Sequence, residues 1–521
     1  MKRKVLLFSA LVLSLGTIYA QGEIDAFRLS QNDLTGTARA VSMGGAFGAL
    51  GGDITGVAIN PAGIGVYKTS EIVTTLNFQN TKTETDGSLG KLDEKKFKFN
   101  FDNLAFVTVF PVQSDVVESV NFGFSYNRLK NFDRKYKMNT KGNAFSMADY
   151  MAYRANGTGI TNPEQGLLLT NRGGGSSDLN ILDNADWLSA FGYTSGLIRH
   201  DIDGYYANGV LPGSGYSDNY LSAQEKGSID SYDFNVGTTF SDIVSFGMSL
   251  SLTDIKYRLT SYYDEDYGAG DNFILQNYLK TEGSGVQVKA GVIIKPINEI
   301  RIGLAYHSPT WYNMSDHYYS DFEYNLVGID ASLKDDYIST DMYTYDYKLR
   351  TPDKWTASLA AVIGTTAIIS ADYEYTNYKG NMKLFHDDGG ILYEPDPNVA
   401  IKNHYKGAST VRVGAEVRFT PQFSGRVGYA WMQSPLDKDY KDGKTEAMTI
   451  GADPHYTLAG DRHYITYGLG YRFTRNFYTD IAFVMRSQKD DLQAFYTENN
   501  VDAVKMKTNS FQGLLTLGYR F

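Results

Sequence analysis

The sequence predicts an all-β membrane protein: about fourteen antiparallel strands closed into an outer-membrane β-barrel, with an N-terminal hatch plugging the lumen. Three observations predict it. Strand-like stretches of about ten residues recur along the chain, the length a tilted strand needs to cross a bilayer. The links between them alternate, short then long. The series ends on an aromatic, Phe521, at the close of an alternating strand.

The link lengths carry the most information. Tight links fall at residues 111–116, 241–243, 295–299, 364–366, 420–422 and 474–476. Long polar excursions fall between them, at 81–96, 134–227, 263–281, 309–341, 379–405, 433–461 and 487–505. A membrane barrel has short periplasmic turns and long extracellular loops, whereas a soluble sandwich has no reason to sort loop length by parity.

Residues 1–20 read as a secretory signal, with Lys2, Arg3 and Lys4 ahead of a short apolar run and Ala20 at the cleavage position. The run is shorter than a membrane helix requires, and no later stretch reaches the ~18 apolar residues of one. The chain has no cysteine, which excludes disulfides, a lipid-modified cysteine anchor and thiol chemistry. A mean hydropathy of −0.32 is compatible with a membrane barrel, because alternate residues face a polar lumen and the loops are wet. Tyr 40 and Phe 28 against Trp 4 suit aromatic girdles at the two interfaces. The net charge of −10 argues against a nucleic-acid partner.

Three strands display the two-residue period most clearly. Val411, Val413, Ala415, Val417 and Phe419 alternate with Arg412, Gly414, Glu416 and Arg418; residues 465–473 and 511–521 repeat the scheme. Apolar outside and polar inside is what lipid and a wet lumen demand. The lumen-facing set then includes Arg301, Asp372, Glu374, Arg412, Glu416, Arg418, Arg426, Arg472, Asp480 and Arg520. Such a set makes either a polar passage or an ion-pair lattice that fills the barrel, and the lattice is the plainer reading.

Residues 21–69 break the strand pattern. They are rich in small residues, above all Gly44–Gly52, and too few for a separate domain of ordinary size. The barrel lumen is the economical place for them, as a hatch ahead of the barrel proper at 70–521. Excursion 134–227 is the longest, with short helices expected at 144–155 and 179–197 and a position roofing the pore on the extracellular side.

No catalytic or metal motif emerges. The glycine run lacks a following Lys-Ser/Thr and follows no strand, so it is not a phosphate cradle. The seven histidines are scattered; His307, near the extracellular end of a strand, is the one position where haem or metal ligation is conceivable, and an ordinary hydrogen-bonded histidine is the plainer reading. The acidic runs 264–266 and 335–336 lack the ordered spacing of a calcium loop. Neither a catalytic residue, a metal nor a cofactor is expected, and the chain is not read as an enzyme.

One motif is more specific. Thr37-Ala38-Arg39-Ala40, the glycine run, then Val57-Ala58-Ile59-Asn60-Pro61-Ala62-Gly63 resembles the N-terminal hatch of the FadL family of outer-membrane transporters for long-chain fatty acids and hydrocarbons. Residues 301–309, 411–429 and 467–486 resemble strands of that family, and its fourteen-strand architecture agrees with the count made from the pattern. The resemblance implies passive uptake of hydrophobic compounds by loop capture, hatch movement and lateral exit through the wall. It places the hatch and gate at Asn60, Pro61, Ala62 and Gly63, and the exit beside a kinked third strand. That strand reads as residues 119–128, with Gly123 the residue most tolerant of a kink. The implied partners are hydrophobic small molecules, outer-membrane lipid and lipopolysaccharide, and the barrel-assembly machinery through Phe521, with the chain acting as a monomer. One departure stands out: the longest loop here is the second, where the family builds its capture groove from the third and fourth. The rival reading is a structural or adhesive surface barrel without transport; an apolar pocket between hatch and wall favours transport, and a hatch packed flush on charged lumen residues favours the rival.

Overall fold

The computed structural model describes residues 22–112, 114, 116–143, 145–169, 186–209, 217–390, 396–498 and 503–521. The expected signal, 1–20, lies outside the described residues, as do 179–185 of the second expected loop helix.

Fourteen antiparallel strands form one closed wall. In chain order they are β1 (Glu71–Gly87), β2 (Gly90–Pro111), β3 (Val117–Asn131), β4 (Ser217–Phe240), β5 (Val244–Gly268), β6 (Asp271–Ile297) and β7 (Ile300–His307). There follow β8 (Lys354–Ile363), β9 (Ala367–Thr376), β10 (Ala408–Arg418), β11 (Phe423–Met432), β12 (Arg462–Arg472), β13 (Phe477–Gln493) and β14 (Val504–Arg520). Each pairs with its chain neighbour, and β14 closes on β1 from Arg520↔Glu71 to Lys505↔Asp86. Closure removes the unpaired edges that a bilayer cannot solvate. Phe521 lies at the seam: its N–H donates to the Ser70 carbonyl at 3.0 Å and its ring stacks on Phe106 with centroids 6.1 Å apart.

The two faces follow the alternation read from the sequence. Phe106, Phe124, Phe234, Met248, Leu304, Ile369, Val427, Leu469 and Met485 are exposed on the outside, where lipid covers them. The alternate residues are buried inside. One end of the barrel carries the tight turns, such as the three-residue link 241–243, where Ser241 and Asp242 are both at positive φ (49° and 54°) and Ile243 N–H donates to the Phe240 carbonyl at 2.9 Å.

At the other end, two expected loops are continuous hairpins. β1 runs to Gly87 and β2 starts at Gly90, so residues 81–96 are mostly strand; β5 and β6 likewise swallow 263–281. β6 has 27 residues where about ten suffice to cross a bilayer, leaving roughly 50 Å of strand beyond it. Once outside lipid, the outer face need not be apolar, so the polar sequence of these stretches concealed their strand character. Excursion 134–227 also begins and ends as strand: residues Arg134–Asn143 pair with β4 from Arg134↔Glu225 onward. Residues 309–341 contribute Trp311–Asn325, which pairs with β6 along its whole length.

Candidate functional site: the filled lumen

The N-terminal segment threads the barrel from the long-loop end to the tight-turn end. It contains helices α1 (Glu23–Ser30), α2 (Ala38–Ser42) and α3 (Ile54–Ile59) and a 3-10 turn at Pro61–Ile64. Caps start the last three: the Thr37 side chain accepts from Ala40 N–H, Asp53 from Thr55 N–H, and Asn60 from Ala62 N–H.

Above α1 sits an aromatic roof. The long excursion supplies α4 (Met147–Gly157), closed by a capping box between Ser146 and Asp149, and α5 (Trp187–Thr194). Both observed helices fall within the expected spans or overlap them. The Trp187 ring centroid lies 5.2 Å from that of Tyr318, and Phe191 stacks on Phe322 at 5.5 Å, so the loop is sealed onto the Trp311–Asn325 strand that pairs with β6. Ile24, Phe27 and Leu29 of α1 belong to the same buried cluster. Phe27 meets Tyr378 and Tyr405 edge-on at 5.4 and 5.7 Å. The buried Glu23 carboxylate accepts from Tyr440 O–H and from Met448 N–H at 3.1 Å, tying the start of the segment to the loop after β11. Burial pushes its pKa up to about 7, against the pull of those hydrogen bonds.

In mid-lumen Glu416, Arg426 and Asp480, three of the charges expected to face inward, form a lattice that includes the segment itself, whereas Arg418 and Arg472 are exposed at the rim. Glu416 accepts from Arg39 of α2 at 3.0 Å and from Arg426 at 2.6 Å, and Arg426 continues to Asp480 at 2.5 Å. Asp33 sits between Arg462 and Arg486 at 3.2 and 3.3 Å. Asp372 accepts the N–H groups of Phe47 and Gly48, both at 3.0 Å.

The wall makes room for this backbone by omitting side chains. A Cβ on Gly247, Gly291, Gly303, Gly414 or Gly428 would collide with Pro61, Asn60, Gly48, Met43 or Gly44 respectively. These inward glycines are a site feature that sequence reading missed. Its only trace was glycine recurring on the polar face of strands such as β10 and β12.

Asn60 is the most connected of the expected gate residues. Its Nδ2 donates to the Gly48 carbonyl at 2.7 Å and to Val292 of β6 at 3.2 Å, while Oδ1 accepts from Ala62 N–H at 3.1 Å. Pro61, Ala62 and Gly63 are buried in the turn that follows. Asn121 of β3 donates to the Ile64 and Tyr67 carbonyls at 2.8 and 3.0 Å. His307 donates through Nε2 to the Ile59 carbonyl at 2.9 Å, so it is a backbone anchor for the segment.

Gly123 is paired on both sides, to Val107 and to Asn235, with no register shift at its own position. A Cβ there would lie 2.8 Å from Ile64 Cδ1, so it is another seat for the segment. The irregularities of β3 lie elsewhere, between Val117 and Val120 and between Arg128 and Lys130. Nearby, β2 and β3 stop pairing at Asn103↔Asn127, and Asp102 is skipped in the β1–β2 register.

Cavities flank the segment, two of which bear on its movement. One, of about 130 Å³, lies against β7–β11; Leu34, Ile59, Leu129 and Met432 form its apolar side, and His307, Lys354, Glu374 and Arg412 its polar side. Glu374 is taken by Arg412 at 2.8 Å. Among the described residues the Lys354 ammonium makes no hydrogen bond or ion pair. The second cavity, of about 350 Å³, lies at the tight-turn end below α2, and its lining includes six arginines with Asp53, Glu416 and Asp480. Among the described residues no cluster of three or more His, Asp or Glu side chains could hold a metal ion.

A closed fourteen-stranded barrel with a folded N-terminal segment across its lumen defines an outer-membrane protein of the plugged-barrel class. The model of the outer membrane protein transport family (OMPP1/FadL/TodX) matches residues 216–521, and the chain belongs to that family. Among solved structures it is similar to a FadL homologue of Pseudomonas aeruginosa (13% identity, TM-score 0.53), covering 94% of this chain and 100% of that one. It is also similar to a deletion mutant of the monoaromatic hydrocarbon channel TodX (12%, 0.51, 94% and 100%). The toluene transporter TbuX of Ralstonia pickettii matches at 12% identity and TM-score 0.49, over 94% and 99%. No curated protein matches in sequence.

Proposed function

We propose that the chain is a passive channel for amphiphilic hydrophobic compounds, long-chain fatty acids above neutral aromatics, gated by the N-terminal segment acting as a hatch. The observation that carries this reading is the cavity between hatch and wall. One side is apolar, and the other presents Lys354, whose neighbouring carboxylate Glu374 is ion-paired with Arg412 instead, leaving the ammonium free to complement an acid headgroup. At about 130 Å³ it is well below the ~300 Å³ of the smallest ordinary ligand pockets, so a whole ligand enters only when the hatch shifts. Asn60, Pro61, Ala62 and Gly63 are the hinge of that shift. Sideways exit is proposed at the seam where β2 and β3 cease pairing, above Gly123, because both strands continue beyond Asn103↔Asn127 without pairing with each other. A greasy solute leaving by the wall never crosses the polar lipopolysaccharide layer.

The test is uptake of labelled oleate and labelled toluene by cells lacking the protein, re-supplied with wild type, Lys354→Met or a chain deleted for 60–63, with surface expression verified. Oleate uptake restored by wild type, reduced by Lys354→Met and altered by the deletion supports the reading. Oleate uptake at the null level in all three removes it. A second reading, a structural surface barrel, is favoured by one feature: α2 is packed flush on the Arg39–Glu416–Arg426–Asp480 lattice. Null-level uptake of both compounds would select it.

A further inference from the structure

The chamber at the tight-turn end has more guanidinium groups than its carboxylates can satisfy. Glu416 and Asp480 are engaged by Arg39 and Arg426. Asp53 is turned to the hydroxyl of Thr37 and the N–H of Thr55. Arg520, also on the rim, has Glu71 at 3.0 Å. That leaves Arg301, Arg418 and Arg472. Arg301 donates once, to the Leu50 carbonyl at 2.6 Å, and its Nε is buried with no partner. Arg418 and Arg472 make no ion pair among the described residues, yet their strand ends flank β11 and both line the same cavity of about 350 Å³.

Arg418 and Arg472 are exposed at the mouth and Arg301 is half-buried, so three cationic groups without an ion pair among the described residues line one open vestibule, and an anion lying among them relieves their mutual repulsion. The fork of each guanidinium matches the paired oxygens of a phosphate or carboxylate. We infer that this periplasmic vestibule is an oxyanion-binding site, built by Arg301, Arg418 and Arg472 for a phosphate or carboxylate group. Because Arg301 also holds Leu50, an anion bound there touches the underside of the N-terminal segment. The site stands apart from the cavity at Lys354 and does not rest on the transport reading.

The test uses the full-length barrel in neutral detergent at low ionic strength, with inorganic phosphate as the probe in calorimetric titration. Saturable binding is expected, weakened at least tenfold in Arg418→Gln/Arg472→Gln and unchanged in Lys95→Gln, an exposed lysine on the far hairpin. Heat-modifiable gel mobility checks that each variant is a folded barrel, and the two single variants supply an intermediate loss. Octanoate displacing phosphate, where octanol does not, assigns carboxylates to the same site; phosphate binding without displacement restricts it to phosphate. Absent or non-saturable binding, or binding equal in wild type and the double variant, overturns the assignment. Oleate uptake is not a readout here, so a barrel that transports nothing but binds phosphate keeps this site.

Discussion

Replacing Asn60 by alanine removes three hydrogen bonds at one stroke: to Gly48, to Val292 and from Ala62. Only the Val292 bond anchors Asn60 to the wall; the other two hold the segment's own turn in shape. Each buried hydrogen bond contributes about 1 kcal/mol net, so the turn loses roughly 2 kcal/mol and its anchoring to the wall about 1 kcal/mol. At about 1.4 kcal/mol per factor of ten, the open population rises about fivefold. The expected result is faster amide exchange across residues 44–64 with β6 unchanged, together with a higher rate of hydrophobic uptake. Asn60→Asp should be worse than alanine, since a carboxylate would then face two carbonyls it cannot donate to. Exchange in residues 44–64 equal to wild type in both variants would refute the role given to Asn60.

Three further outcomes are expected. Gly428→Ala places a methyl against Gly44 and should expose the N-terminal segment to limited proteolysis while the heat-modifiable barrel persists; Gly513→Ala, whose nearest neighbour is 4.0 Å away, should do nothing. Arg426→Leu strands Asp480 and half of Glu416, costing about 3–5 kcal/mol and lowering the Tm of the detergent-solubilised barrel, with partial recovery in Arg426→Lys. Glu23 has a raised pKa when docked, so its stabilising contribution is complete below about 4.5 and is lost as pH rises through about 7. Proteolysis of α1 should therefore slow more between pH 7.5 and 5.5 in wild type than in Glu23→Gln; equal slopes would refute it.

The membrane part of the wall was legible because lipid imposes a rule on every second residue, as in Ile465, Tyr467 and Leu469. Beyond the bilayer that rule lapses. Lys82, Glu84 and Asp86 alternate with threonines on β1 exactly where the sequence looked like a loop, since both faces there tolerate polarity. The inward charges could be assigned to a face but not to partners: Arg39 and Glu416 are 377 residues apart, and only closure of the barrel brings them together. Asn60 was marked by resemblance to known hatches, whereas its bonds to Gly48 and Val292 depend on the curvature of a segment with no periodic pattern.

The wall glycines have a mechanical consequence. Where side chains interlock, one surface moves over another only by unlocking rotamers in turn, each a small barrier. Here backbone lies on backbone at Gly303, Gly414 and Gly428, with nothing protruding from the wall to catch. Such contact is close but smooth, a bearing more than a lock. Resistance to sliding is then concentrated in discrete polar tethers, among them those at Asp33, Arg39, Phe47-Gly48, Asn60 and Ile64, so the segment should release in steps, tether by tether, and keep its own fold as it goes.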